Sequence, residues 1–355
     1  MTNGTRKPLI ALAMGDPAGI GAELAARLLV DPDVGDAADI LLIGDRRVLA
    51  LGERQAGVES ALPDLDGFSE RGQGLADLGH LDPAAIEVGE ASQAGGDFAL
   101  VNFRVALKMG AARVADAVAF TPFNKHSMRL AEDDYVDEIG FIKRTIGAVK
   151  DGSEFNILDE VWNARVTSHI PLAEVASHIT KERIEKAIDL TLESMQAVGF
   201  ERPKLAVAGL NPHAGDGGNF GREEIEVIEP AVRAAADRQL AVEGPFSPDT
   251  VFLRARAGLH DAVLTMYHDQ GQIAMKLMGF DRGITLIGGY SFPITTPAHG
   301  TAFDIAGQGK ANPGAAKRAL LIGTDMARRF VGDEGFPDRE ARIESIRKFF
   351  RGGHA

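Results

Sequence analysis

The 355-residue sequence contains no cysteine. That absence excludes disulfides, thiolate zinc sites and cysteine nucleophiles together, and it fits a cytoplasmic setting. Positive charge is also in short supply: 38 Lys and Arg stand against 51 Asp and Glu, a formal net charge of −13. A nucleic-acid surface needs clustered cations to neutralise phosphates, so no nucleic-acid partner is expected. A small anionic ligand stays open, because a few local cations and backbone N–H groups suffice for it. Long apolar runs are missing as well. Residues 8–14 are apolar, but the run stops at Gly15-Asp16-Pro17, too short for a signal core or a membrane span. It reads as a first buried strand, and no membrane partner is expected.

What is present is the composition of a globular enzyme. Hydrophobic residues make up 45% and charged residues 25%, and the length allows one large or two medium domains. Strand-like apolar runs at 9–14, 40–43, 117–121, 204–208 and 262–266 alternate with stretches of helical periodicity. Those stretches are 23–29, 96–108, 181–198, 222–238 and 314–331. The alternation predicts an α/β fold with a largely parallel sheet, and ligands in such folds gather at the carboxyl ends of strands. Residues 53–82 read as loop.

Three features follow strand candidates. Met14-Gly15-Asp16-Pro17-Ala18-Gly19-Ile20-Gly21 opens a helix, and it is either a ligand loop or a structural turn. It lacks the glycine spacing of a dinucleotide fingerprint and the lysine of a P-loop. Three histidines sit in distinctive loops: His169 in Thr167-Ser168-His169-Ile170-Pro171, His213 in Asn211-Pro212-His213-Ala214-Gly215, and His268 in Tyr267-His268-Asp269-Gln270. Each alone is more often an ordinary hydrogen-bonded histidine than a ligand. Together they could hold a divalent ion with open positions, a Lewis acid for a hydroxyl or ketone oxygen. The third feature is residues 297–313, a glycine-rich loop with many separate polar groups ahead of a helix.

That third loop resembles the adenosine-binding loop of the isopropylmalate and isocitrate dehydrogenases. The resemblance implies that Asp304 accepts from the ribose hydroxyls, that Asn312 contacts adenine, and that His299 and Gly300 lie beside the nucleoside. A carboxylate at the ribose would repel a 2′-phosphate, so NAD is favoured over NADP. Taken with residues 14–23, 121–125, 167–171, 211–224 and 267–276, the whole chain is more similar to the 4-hydroxythreonine-4-phosphate dehydrogenase (PdxA-like) family. This implies two α/β domains around a cleft, with isopropylmalate-dehydrogenase-like architecture. Residues 1–126 with 297–355 would form an NAD-associated domain, and 127–296 a domain for substrate, metal and dimerisation. It further implies a homodimer, with one divalent ion (Zn, Mg, Co or Mn) bound by His169, His213 and His268. The implied reaction is oxidation of a small hydroxy acid by NAD, with decarboxylation. Gly15 and Asp16 join the cofactor set. Lys276, Asn124 and Lys125 are the catalytic candidates, and Lys276 also binds substrate. Asp249 and Asp269 are candidate partners for the metal-binding imidazoles.

The sequence departs from the biosynthetic pattern at the substrate. Asp137-Glu138-Ile139-Gly140 stands where the family has Gly-His-Thr-Glu, and Thr285 and Ile294 stand where it has Asn and a phosphate-binding Arg. Glu138, Ile139, Thr285 and Ile294 are therefore expected to line a rewritten pocket, with Arg282, Arg165 or Lys143 as replacement cations. The expected substrate is a hydroxy acid other than 4-phosphohydroxy-L-threonine. The alternatives are the biosynthetic enzyme itself and a non-catalytic binding paralogue.

Overall fold

The computed structural model describes residues 6–68, 72–149, 152–279, 282–332 and 335–353. The chain divides into two compact units, Met1–Gly152 with Tyr290–Ala355, and Ser153–Gly289. Both are α/β.

The first unit is a five-stranded parallel sheet in the order β3-β2-β1-β4-β11. Its strands are β1 (Leu9–Ala13), β2 (Asp39–Gly44), β3 (Gln73–Asp77), β4 (Ala117–Phe120) and β11 (Ile294–Pro297). Every residue of β1, β2 and β4 is buried, as expected for strands covered on both faces. Helices Gly21–Leu29, Arg46–Ala56, Gln93–Ala111 and Gly314–Val331 supply that cover. Ser92 caps the long Gln93–Ala111 helix by accepting from the Gly95 N–H, which supplies one of the acceptors that a helix start requires.

The boundary falls at residue 152 rather than at 126, for a physical reason. Helices Lys125–Ala131 and Glu138–Ile146 are packed on the Gln93–Ala111 helix. Phe103 stacks on Phe141 at 5.6 Å, and Arg104 both reaches Glu132 at 2.9 Å and lies over the Phe141 ring. A Cβ on Gly96 would stand 1.9 Å from the Ser127 carbonyl oxygen, so only glycine lets these backbones meet.

The second unit orders its strands β10-β5-β6-β9-β7-β8. They are β5 (Ser153–Ile157), β6 (Trp162–Arg165), β7 (Leu205–Ala208), β8 (Val242–Phe246), β9 (Ala262–Thr265) and β10 (Ile284–Gly288). The pairs β6–β9, β9–β7 and β7–β8 are parallel, whereas β10–β5 and β5–β6 are antiparallel. A largely parallel sheet thus holds for the first unit and for half of the second. Residues 53–82, read as loop, contain β3, whose sequence Gln-Gly-Leu-Ala-Asp is too short and polar for periodicity to show.

The tightest constraint lies where β1 and β4 end. A Cβ on Gly15 would sit 2.2 Å and 2.3 Å from the carbonyl oxygens of Pro122 and Thr121, both backbone atoms with nowhere to move. Gly15→Ala is expected to cost on the order of 3 kcal/mol in urea unfolding. A cost under about 1 kcal/mol would show that the junction can relax.

Candidate active site

In the first unit the Gly15–Gly21 loop acts as a platform. Thr121 Oγ1 accepts from the Gly15 N–H at 2.8 Å. Asp16 is 0% exposed and accepts from the Ala18 N–H, so its carboxylate has no surface to offer a cofactor. Gly15 is likewise consumed by the backbone contact above. Both were expected to touch cofactor; both are built into the frame instead.

On this platform rests the 298–313 loop. The Ile20 N–H donates to the Thr301 carbonyl at 3.0 Å, and Gly19 meets Thr301 so closely that a Cβ would stand 2.7 Å away. Glu23, fully buried, accepts from the Ala311 N–H at 3.0 Å and from Arg27 at 2.8 Å, while Arg27 donates onward to the Gly309 carbonyl. Through Oε1 alone this buried carboxylate, with Arg27, fixes the loop at two points. The loop's upper face stays open. Asp304 is exposed, and among the described residues its carboxylate has no partner; a Cβ on Gly300 would meet nothing. Half-buried His299 turns Nδ1 to the Gly300 carbonyl, and exposed Asn312 accepts from the Gly314 N–H.

In the second unit the three histidines follow three neighbouring parallel strands. His169 comes after β6, His268 after β9 and His213 after β7. Their loops are cross-tied at the end of β9. Thr167 donates through both N–H and Oγ1 to the Met266 carbonyl. Gln270 accepts from the Met266 N–H at 2.7 Å and donates to the Gly209 carbonyl at 2.8 Å. The His169 and His268 rings lie 5.5 Å apart. Two imidazoles bound at about 2 Å to one tetrahedral ion have centroids roughly 5 Å apart, so this pair suits a shared ion. Asp269 Oδ1 stands 2.6 Å from His268 Nδ1, which leaves Nε2 as the free lone pair. Asp249 instead accepts from Ser247 and meets no imidazole among its recorded contacts. His213 stands near Phe220. Among the described residues of one chain, no three His, Asp or Glu side chains form a ligand cluster. The donor type and the shared edge fit a divalent ion; the third ligand is not closed within one chain.

The residues expected at the substrate divide. Asn124 accepts from the His126 and Ser127 N–H groups, capping a helix, so its Oδ1 is spent structurally. Lys125 Nζ lies 3.1 Å from Glu138 Oε2, an ion pair off the hydrogen-bond direction, and Glu138 is 9% exposed. The cation that answers Glu138 is therefore Lys125. Ile139 beside it is half-buried. Arg282 is held by Glu160 and Asp159, and Arg165 by Glu154 at 2.7 Å, so both guanidinium charges already face carboxylates. Ile294 is 0% exposed in β11. It lies on the strand face opposite Thr295, which meets Gly323, and so belongs to the core rather than to a pocket wall. Thr285 accepts from Asn156, whose Oδ1 accepts from Gln272 at 2.6 Å. Gln272 is one turn before Lys276, which is exposed and has no recorded partner among the described residues.

Comparison with known proteins decides the family. The family model for pyridoxal phosphate biosynthetic protein PdxA matches residues 36–322. The chain belongs to the PdxA family. A Rhizobium meliloti relative named 4-hydroxythreonine-4-phosphate dehydrogenase 2 is 55% identical over 329 residues, 91% of this chain and 94% of the relative. A Symbiobacterium thermophilum relative named D-threonate 4-phosphate dehydrogenase is 36% identical, covering 91% and 98%. Among solved structures, 4-hydroxythreonine-4-phosphate dehydrogenase from Klebsiella pneumoniae superposes with TM-score 0.77 at 32% identity, covering 91% and 99%. A terephthalate 1,2-cis-dihydrodiol dehydrogenase from Burkholderia xenovorans gives 0.63 at 28%, covering 90% and 99%.

Reading by motif passed over several residues of this PdxA-family chain that hold its loops: Glu23 and Arg27, Gln270, Asn156 and Gln272. All are polar residues on helices or strands, where nothing in the sequence marks which face is buried. Asp16, expected beside the cofactor, is buried within its own loop. Burial pushes its carboxyl above the usual range, opposed by hydrogen bonds from Ser127 and the Ala18 N–H. With a folded pKa above the unfolded one, Asp16 favours the fold below about pH 4, and that contribution is lost as pH rises through the folded value. Asp16→Asn keeps an acceptor for Ala18 and removes the charge. Its Tm is expected to exceed the parent's at pH 7.5, with the gap closing toward pH 4. A lower Tm at pH 7.5 contradicts this.

Proposed function

We propose that this PdxA-family chain is a NAD-dependent, divalent-metal-dependent dehydrogenase that oxidises a secondary alcohol on a small hydroxy acid, followed by decarboxylation. The observation that carries the reading is the placement of His169, His268 and His213 at the carboxyl ends of β6, β9 and β7, with the first two rings at 5.5 Å. His169, His213 and His268 would hold the ion (Zn, Mg, Co or Mn), which would supply Lewis acidity at the substrate oxygen, and NAD would supply the hydride acceptor.

The chain's own residues would do the rest. Asp269 orients His268 by holding its Nδ1. Lys276 would grip a substrate carboxylate as a point charge. Asp304, on a loop fixed by Glu23 and Arg27, would accept from the ribose hydroxyls, with His299, Gly300 and Asn312 around the nucleoside. The chain would work as a homodimer, the second copy completing the histidine set. In support, Ile273 and Leu277, one turn apart on the His268–Gly279 helix, are 62% and 85% exposed, more apolar surface than a lone helix face usually leaves in water. No helix among the described residues is long and apolar enough to cross a membrane.

For the substrate we favour a hydroxy acid other than 4-phosphohydroxy-L-threonine. Ile294 offers no cation, Arg282 and Arg165 are committed, and Lys125 is paired with Glu138. The second reading, the biosynthetic dehydrogenase itself, rests on the name of the 55% identical relative. A panel of hydroxy acids assayed with NAD separates them. Losing a bidentate Arg–phosphate contact costs about 2–4 kcal/mol, so kcat/KM for 4-phosphohydroxy-L-threonine should fall roughly 30-fold or more below that of the best substrate. Turnover of that compound as the best substrate would favour the second reading. No turnover with any member would point to a binding paralogue.

Cofactor choice is tested separately. NAD should exceed NADP in kcat/KM by at least about tenfold, because Asp304 would oppose a 2′-phosphate. Asp304→Ala should narrow that ratio by weakening NAD use. Equal use of both cofactors by the parent protein would overturn the assignment.

A further inference from the structure

His213 stands in an unusual piece of backbone. Five consecutive residues, His213 to Gly217, have positive φ: 54°, 52°, 79°, 44° and 66°. Three of them carry a Cβ, for which the left-handed region is sterically unfavourable. Such a turn persists only when its surroundings hold it.

Glu224 is the group that holds it. Its side chain is 2% exposed. Oε1 accepts from the N–H groups of Leu210 and Asn211, both at 2.7 Å, and Oε2 accepts from Asn211 Nδ2 at 2.9 Å. The fit is close on both sides of His213. A Cβ on Gly209 would stand 3.0 Å from Oε1, and one on Gly215 would stand 2.7 Å from Oε2. Asn211 is gripped a second time by Glu223 at 2.7 Å, and its carbonyl accepts from the Ala214 N–H. Glu224 itself opens a π-helical turn, Glu224–Ile228, that runs directly into helix Glu229–Asp237. Single π turns recur at functional sites, where they re-aim side chains.

We propose that Glu224 is a positioning residue for His213, clamping residues 209–215 so that the left-handed turn presents the imidazole as a metal ligand. This rests on the metal reading given above, and the test separates the two. The full-length protein, stripped of metal, is titrated with Co²⁺ by calorimetry, and amide hydrogen exchange is followed over residues 209–217. Glu224→Ala should weaken Co²⁺ binding about 10- to 100-fold, as loss of outer-shell partners does. It should also speed exchange in that segment, while leaving KM for NAD unchanged. Glu224→Gln keeps an acceptor for Leu210 and Asn211 but turns an amide donor toward Asn211 Nδ2. It should recover most of the affinity, and it carries the test if the alanine variant does not fold. Parental Co²⁺ affinity in Glu224→Ala, or slow exchange retained at 209–217, overturns the proposal. If the parent protein binds no Co²⁺, the metal reading fails, and the exchange arm alone decides whether the clamp exists.

Discussion

A carboxylate removed from water must find donors nearby, and two of the most buried ones in this chain find backbone amides of functional loops. Glu23 takes the Ala311 N–H together with Arg27; Glu224 takes those of Leu210 and Asn211. The energetics explain why the device is strong. An unsatisfied buried carboxylate would cost several kcal/mol, so loop and carboxylate are fixed together or neither is stable. Each unit uses the device on the loop where sequence resemblance puts chemistry.

Strand direction supplies the second constraint. Parallel strands all end on one side, so side chains that follow β6, β9 and β7 arrive at one edge without further design. That edge carries His169, His268 and His213, tied together through Met266 and Gln270. The antiparallel strands β5 and β10 bring in Asn156 and Thr285. The first unit repeats the logic at β1 and β4, whose ends meet at Gly15 and support the 298–313 loop. In the same unit Glu138, nearly buried, is held by Lys125.

Long periodic elements were legible in the sequence. Helices Lys181–Val198 and Gly314–Val331 lie at the positions their apolar spacing predicts. β3, β6 and β11 were not, because polar residues interrupt their short runs, whereas the equally short β4 and β7 are apolar throughout. Residue roles split along another line. The three histidines stand out by loop context and motif order, and the structure sets them after three neighbouring strands. Asp16, Asn124 and Ile294 were placed at the site by the same motifs, yet one is a buried loop anchor, one a helix cap and one a core residue. Motif order locates a segment; which face of it meets solvent depends on how the segment packs, which its own residues do not record.

The central claim is that the loops after three neighbouring parallel strands supply one divalent-ion site, completed between two copies of the chain. It is tested most directly by anomalous diffraction from crystals of the Co²⁺-loaded protein. The account predicts one cobalt peak per chain at about 2 Å from imidazole nitrogens of His169, His213 and His268, counting both copies of a dimer. Cobalt bound elsewhere, or bound without those histidines, would contradict it.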